Sequence, residues 1–193
     1  MRKLFVAALL AGSVATPALA QQATGPFSGA RVEGIVGYDT TDVESRNADG
    51  VVYGVGVGYD VQAGNIVFGV DAEASKSTID QCVSAVSIAG DALCAEMGRD
   101  LSIGGRIGTQ IGSNALLYAR AGYTNARVKL DYDHPTNNTL DFTSSDNLDG
   151  VRVGGGLELA IGRNAFARAE YRYSNYEQGF DRHQVVGGFG LRF

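Results

Sequence analysis

Lysine, histidine, cysteine and long apolar runs are all scarce in this chain of 193 residues. It has two histidines, two cysteines and three lysines against thirteen arginines. After the N-terminus no apolar run approaches the roughly 20 residues that a membrane-spanning helix needs, which excludes a helical span. Two cysteines without a nearby histidine lack a full ligand set, so we predict neither a metal nor a cofactor. The net charge of −5 argues against nucleic acid as a partner.

The chain begins "MRKLFVAALLAGSVATPALA", which combines a basic start, a short apolar stretch and small residues at its end. This pattern is typical of a secretory signal peptide, cleaved here between Ala20 and Gln21. A buried N-terminal helix is the alternative. We expect residues 1–20 to be a signal peptide and residues 21–193 to form one exported domain.

The two cysteines, Cys82 and Cys94, lie in the same polar part of the sequence. Export would place them in an oxidising compartment, where paired cysteines form disulfides. We therefore expect one disulfide between them.

Three similar segments, "QAGNIVFG", "GSNALLYA" and "GRNAFARA", place Gly and Asn together between alternating runs, which indicates tight hairpins. Their asparagines are Asn65, Asn114 and Asn164. The turns alternate with longer polar connections near 40–50, 77–98, 129–149 and 175–181. The sequence thus predicts an all-β, eight-stranded antiparallel up-and-down barrel, with strands near 29–39, 51–61, 66–76, 99–111, 116–128, 150–161, 166–174 and 183–193. Strands of about ten residues cover the apolar band of an outer-membrane barrel.

Each predicted strand has one apolar face and one face of glycines and charges of both signs. Arginine suits buried, geometrically fixed ion pairs better than lysine does, so the charged face is expected to fill a crowded interior. The predicted network of ion pairs in the lumen comprises Arg31, Glu33, Asp71, Glu73, Arg106, Arg120, Arg152, Glu158, Arg168, Glu170, Arg172 and Arg192. Within it, Arg106 is expected to compensate Asp71 or Glu73.

Alternation alone does not decide which face points outwards, because a soluble barrel such as a lipocalin would turn its apolar face inwards. The aromatic residues favour a membrane barrel, since they cluster near the strand ends as in interfacial girdles. Those near the short turns are Tyr59, Phe68, Phe166 and Phe193, and those near the long connections are Tyr38, Tyr53, Tyr123, Tyr171 and Tyr173. Short turns at one end and long loops at the other match periplasmic and extracellular sides.

Four segments carry a family resemblance: "GARVEGIVGYD", "GVGVGYDV", "AEYRYSNYEQG" and the terminal "VVGGFGLRF". With them the chain resembles the small eight-stranded outer-membrane barrels: the OmpA-type transmembrane domain and its OmpX-like and opacity-protein-like relatives. The resemblance implies that the last strand, with Phe189, Leu191 and Phe193, is the signal read by the barrel assembly machinery. No peptidoglycan-binding domain follows Phe193, so wall anchoring is not implied.

These features together predict a monomeric protein of the bacterial outer membrane with a structural and surface-interaction role. We expect both termini and the short turns to be periplasmic and the long loops to be extracellular. The expected partners are outer-membrane lipids and lipopolysaccharide, the barrel assembly machinery, and a host or surface ligand at the loops. A narrow, low-conductance pore is the alternative function.

A surface enzyme is a further alternative. Its support is limited to one serine and one histidine, Ser174 and His183, which the predicted strands bring together near the outer rim. We interpret His183 as an interfacial polar residue and predict no catalytic site. The glycine runs "GVGVG" and "VGGGLE" continue as strand rather than opening a helix, which argues against a dinucleotide fingerprint. Acidic residues in the loops match no calcium-binding spacing and are interpreted as solvated surface, with calcium bridging to lipopolysaccharide phosphates as the alternative.

Overall fold

The computed structural model describes residues 25–43, 46–84, 92–133, 142–177 and 180–193. These residues form nine strands: β1 Gly29–Val43, β2 Arg46–Ala63, β3 Ile66–Ser77, β4 Asp80–Ser84, β5 Ala92–Ile111, β6 Ala115–Asp133, β7 Phe142–Ile161, β8 Ala165–Tyr176 and β9 Phe180–Arg192. Within the described part of the chain, no helix has the length and apolar character needed to cross a membrane.

Eight of the strands close into an antiparallel barrel. Each of β1, β2, β3, β5, β6, β7, β8 and β9 pairs with the next in that order, and β1 pairs with β9. The short β4 pairs with β5 and lengthens the sheet beyond the end of β3. The predicted barrel is therefore confirmed. Closure leaves no open sheet edge at the level of the eight-stranded ring, as a lipid environment requires.

The three predicted hairpins end in tight turns. Gly64, Gly112 and Gly162 have φ values of 62°, 65° and 66°. This left-handed region is easily reached by glycine and costly for residues with a Cβ. In each turn, the backbone carbonyl of the nearby asparagine accepts a bond from another hairpin: Asn65 from Gln110, Asn114 from Ala160 and Asn164 from Arg192. The turns are thereby tied to one another along one rim.

The long connections contain much more strand than the sequence predicts. β1 continues to Val43 and β2 begins at Arg46, where the sequence predicts a loop over 40–50. Strands also enter the predicted loops 77–98, 129–149 and 175–181. Outward-facing side chains are apolar only along part of each strand. Beyond that part the strands still pair through their backbones, but their side chains are polar. Alternation therefore marks the extent of the apolar band, not the end of the sheet.

The apolar face points outwards and the charged face inwards, as predicted. On β2, Val55 and Val57 are 63% and 54% exposed, whereas Val52 and Asp60 are fully buried. One aromatic residue differs from the prediction. Phe166 is 1% exposed and lies inside the barrel near the short turns, rather than in the outer girdle. It follows Ala165, the first residue of β8, and a single step along a strand exchanges the two faces.

Candidate functional site: the charged interior and the long-loop rim

Among the residues that the structure describes, sixteen charged side chains are buried in the barrel interior, eight arginines and eight carboxylates. They are Arg31, Arg106, Arg120, Arg152, Arg168, Arg172, Arg182 and Arg192 with Glu33, Asp39, Asp60, Asp71, Glu73, Asp100, Glu158 and Glu170. All twelve residues of the predicted network are in this set. The structure adds Asp39, Asp60, Asp100 and Arg182. Opposite charges are equal in number, so this described set is formally neutral.

Near the short turns the network centres on Asp60 and Glu158. Arg106 binds Asp60 through two nitrogens, at 2.9 and 2.7 Å, and donates to Glu158 at 2.8 Å. Arg192 bridges the same two carboxylates at 3.0 and 2.8 Å. The expectation that Arg106 compensates Asp71 or Glu73 is therefore wrong. The stagger between tilted strands displaces the side chains that meet across the lumen, and counting residues from the turns does not capture this shift.

In the middle of the barrel, Arg168 joins two carboxylates from different strands. Its Nε donates to Glu33 Oε2 at 2.5 Å, and its Nη1 pairs with Glu170. The Tyr118 hydroxyl donates to Glu170 at 2.6 Å and accepts a bond from Arg168 at 3.1 Å. Tyr118 was not predicted as part of this network. Charge-assisted bonds of this kind are roughly twice as strong as neutral ones.

Two further carboxylates complete the middle layer. Arg172 binds Glu73 through both terminal nitrogens, at 2.6 and 2.7 Å. Asp71 pairs with Arg120 at 2.5 Å and with Arg31 at 3.3 Å. The bidentate pair joins β8 to β3, which are not neighbours in the barrel. Such contacts tie the wall together across the lumen.

Towards the long-loop end, Asp100 accepts bonds from four side chains. Arg152 and Arg182 donate at 2.5 and 2.7 Å, and the hydroxyls of Tyr176 and Thr124 donate at 2.9 and 2.6 Å. Arg182 also binds Asp39 through two nitrogens. Arg152 is a predicted member of the network, whereas Arg182 and Tyr176 were missed because they lie in or beside a segment predicted to be a loop.

An aromatic and aliphatic cluster lies at the short-turn end of the interior. Phe27, just before β1, is fully buried and packs with Val67 and Leu116. Arg192 lies over the rings of Phe27 and Phe166, at 5.7 and 5.2 Å from their centroids, and such contacts are favourable cation–π interactions. The sequence offered one signal for Phe27: it stands immediately before the first alternating strand.

Inward-facing glycines make room for the charged network. A Cβ at Gly58 would lie 2.9 Å from the Arg31 guanidinium, and one at Gly69 would lie 2.0 Å from Asp60 Oδ1. An eight-stranded barrel is just wide enough for its interior side chains. The glycine runs of β2 therefore serve packing, and no helix follows them to form a dinucleotide site.

At the long-loop rim, three hairpins repeat one arrangement on the outward face. An outward tyrosine is followed two residues later by Asn or Thr, and both bind an aspartate on the neighbouring strand. Tyr123 and Asn125 donate to Asp149 at 2.5 and 2.6 Å. The same arrangement is formed by Tyr38, Thr40 and Asp49 and by Tyr173, Asn175 and Asp181. Here hydroxyl and amide groups accompany the carboxylates, in contrast to the arginines of the interior.

Ser174 and His183 lie on opposite faces of the wall. Ser174 faces the interior and accepts a bond from Arg152 at 2.8 Å. His183 faces outwards, where its Nδ1 is 2.7 Å from the Tyr171 hydroxyl. The two side chains do not form the serine and histidine pair that the enzyme hypothesis needs. No cluster of three or more potential metal ligands occurs among the described residues.

The remaining predicted sites lie on β9, on β4 and β5, and at the N-terminus. Phe189, Leu191 and Phe193 face outwards, with Phe193 71% exposed. The backbone register places Cys82 opposite Cys94, and their side chains are outside the described set. The predicted cleavage site between Ala20 and Gln21 also lies outside the described residues.

A closed barrel with an apolar outer wall and a charged interior has the architecture of an outer-membrane β-barrel protein. The family model described as the outer membrane protein beta-barrel domain matches residues 6–193, so the chain belongs to this family of outer-membrane proteins.

Curated relatives carry corresponding names. The chain is 28% identical over 173 residues to a 22 kDa outer membrane protein of Rhizobium leguminosarum bv. viciae, covering 81% of this chain and 75% of the relative. It is 29% identical over 154 residues to a 25 kDa outer-membrane immunogenic protein of Brucella ovis, covering 80% and 69%. These names agree with the predicted location in the outer membrane.

Solved structures share the fold at low sequence identity. The crystal structure of Neisserial surface protein A has a TM-score of 0.58 at 18% identity, covering 86% of this chain and 98% of that one. The attachment invasion locus protein Ail of Yersinia pestis has a TM-score of 0.56 at 14% identity, covering 86% and 99%. Both similarities concern the fold alone.

Proposed function

We propose that this protein is a structural and surface-interaction barrel of the outer membrane whose lumen is closed to ions. The observation that carries the proposal is the neutral set of eight arginines and eight carboxylates, all buried. A pore would have to leave a continuous path past these side chains. The bonds of Arg172 to Glu73 and of Arg182 to Asp100 support closure instead, because each joins strands that are not neighbours and so crosses the lumen.

The cluster around Phe27 supports closure at the short-turn end. Its buried ring packs with Val67 and Leu116 and lies under Arg192, and the Phe27 N–H donates to Gln62 at 3.2 Å. The apolar cluster at the short-turn end and the charged layers would thus block the lumen at successive levels along the barrel. In this proposal the short turns and both termini face the periplasm, and the extended hairpins face the exterior and carry surface interactions.

A disulfide between Cys82 and Cys94 is part of the proposal. Directly opposite residues of an antiparallel pair have Cα atoms about 4.5–5.5 Å apart, and disulfides span Cα separations of about 4.4–6.8 Å. The register of β4 and β5 supports this pairing. An exported protein with residues 1–20 removed would meet the oxidising conditions that the bond requires.

Planar-bilayer recording of the purified wild-type protein tests closure. The proposal predicts no steady single-channel current above that of the protein-free bilayer, and a reproducible unit conductance would support the narrow pore instead. The non-enzymatic part is tested by mass analysis of lipid A from cells with and without the protein. Identical lipid A species are expected, and a modification that depends on the protein would contradict this part.

A further inference from the structure

Two basic side chains face outwards from neighbouring strands near the long-loop end. Lys76 on β3 lies directly opposite Arg99 on β5, and both side chains are exposed. Like charges directly opposite each other in a sheet are destabilising. In the part of the chain that the structure describes, neither side chain has an ion-pair or hydrogen-bond partner. This pair therefore differs from the interior arginines and would be stabilised by an anion bound between the two cations.

A shallow apolar groove runs down the outer wall from Lys76. Tyr53, Val55 and Phe189 line it, and Gly34 and Gly187 lie on its floor. Gly34 carries no side chain, and a Cβ placed there would meet nothing within 4 Å, so this part of the groove is open. Tyr53 lies opposite Lys76 in the register, at the level where outward tyrosines mark the membrane interface. The groove thus leads from the interface towards the middle of the apolar band.

We propose that Lys76 and Arg99 bind the phosphate of an outer-leaflet phosphoglycolipid, with one of its acyl chains in this groove. The inference rests on the proposed function in taking the long-loop end as the outer side of the membrane. A guanidinium and an ammonium placed side by side can both donate charge-assisted bonds to one phosphate. An acyl chain then continues from the phosphate in the direction that the groove follows.

The charges elsewhere on the rim restrict this site to the sector around β3 and β5. The outward carboxylates Asp49, Asp149 and Asp181 lie on β2, β7 and β9, and each is bonded to a tyrosine hydroxyl. Negative charge at those positions repels phosphate. A lipid anchored at Lys76 and Arg99 would therefore have a preferred position on the wall, rather than exchanging freely around the barrel.

The test measures binding of bisphosphorylated lipid A to the folded full-length barrel in detergent, in EDTA, by native mass spectrometry. The Lys76→Gln, Arg99→Gln double variant is expected to bind at least about tenfold more weakly, a difference of about 1.4 kcal/mol. The charge-conserving Lys76→Arg, Arg99→Lys variant should retain binding. Arg163→Gln is the matched control, because it removes an exposed charge from the short turn at the opposite end. Mobility of unheated samples on gels checks that every variant is folded.

Lipid A without phosphates should bind the wild-type protein as weakly as phosphorylated lipid A binds the double variant. Unchanged binding by the folded double variant would overturn the proposal. Binding that depends on added magnesium would assign the contact to carboxylates instead, and displacement by millimolar inorganic phosphate would exclude a lipid-specific site. Steady current through the wild-type barrel would refute the closed lumen while leaving this lipid measurement unaffected, so the two failures are distinguishable.

Discussion

The interior and the long-loop rim both contain aspartates, but these carboxylates have different partners. Inside, Asp100 is 2% exposed and accepts bonds from Arg152 and Arg182. On the outward face, Asp149 is exposed and accepts bonds from the neutral groups of Tyr123 and Asn125. A buried charge is very costly unless an opposite charge compensates it, whereas water supports an exposed one. The same residue type is thus held by guanidinium groups in one region and by hydroxyl and amide groups in the other.

Because the buried carboxylates are held by guanidinium groups, arginine is frequent in this chain and lysine is rare. Among the described residues, every buried cation is an arginine. The planar guanidinium can bind two carboxylates at once, as Arg106 binds Asp60 and Glu158. Lys76 is exposed on the outward face instead. The interior therefore requires the planar geometry of the guanidinium group as well as its positive charge.

The largest expected effect comes from removing matched aspartates in the two regions. Asp100→Ala leaves Arg152 and Arg182 without their shared partner, and breaking a buried pair costs about 3–5 kcal/mol. Asp149→Ala removes an exposed carboxylate and should change stability by no more than about 1 kcal/mol. Urea titration of both variants in the same liposomes measures the difference. Equal costs would refute the distinction between the two regions.

A charge introduced into the outer wall tests the assignment of the faces. Val55→Arg, near mid-strand, is expected to destabilise the barrel by about 2–4 kcal/mol, because lipid cannot solvate the cation. Val51→Arg, nearer the interface on the same face of β2, should cost only about 0–1 kcal/mol. Folding yields and urea midpoints in liposomes report both values. Unchanged stability of Val55→Arg would show that this face does not meet lipid.

The extension formed by β4 and β5 should respond to reduction without loss of the barrel. A disulfide between Cys82 and Cys94 is expected to contribute up to about 3 kcal/mol by constraining the unfolded chain. Because β3 pairs with β5 independently of β4, closure should survive reduction. Thiol labelling of the unreduced protein checks the bond, and full modification of both cysteines would remove this prediction.

The smallest expected losses of stability come from removing one tyrosine hydroxyl in each region. Tyr118→Phe leaves Glu170 and Arg168 with one bond fewer in a buried network, at a cost of about 1–3 kcal/mol. Tyr123→Phe removes the bond to exposed Asp149, and the replacement partner is water, so the cost should stay below about 1 kcal/mol. Thermal or urea unfolding of the two variants gives the comparison. A larger loss for Tyr123→Phe would contradict it.

Much of the fold follows from local patterns in the sequence. Gly64, Gly112 and Gly162 punctuate alternating strands, and the two faces of each strand differ sharply in polarity. The extensions of the strands beyond the apolar band were not predictable in this way. Residues such as Asp42, Thr143 and Ser144 have no apolar alternation to show pairing, although the backbone pairs there.

The membership of the interior network was more predictable than its pairing. Alternation identified Arg106 and Glu158 as inward residues, but their contact depends on the tilt and stagger of strands that are far apart in sequence. Phe27 shows the same limit at the short-turn end. Phe166 shares the inward parity of Arg168 on β8, whereas Phe27 lies before the first strand, and its burial depends on closure of the whole ring.

The closed lumen is tested most directly by recording single-channel current from wild-type and Arg106→Ala protein with the urea midpoint measured on the same preparations. Removal of Arg106 leaves Asp60 and Glu158 with fewer partners, and we expect about 3–5 kcal/mol of destabilisation. A closed lumen predicts no steady wild-type current and a clear fall in the variant's urea midpoint. Steady wild-type current together with an unshifted variant midpoint would contradict it.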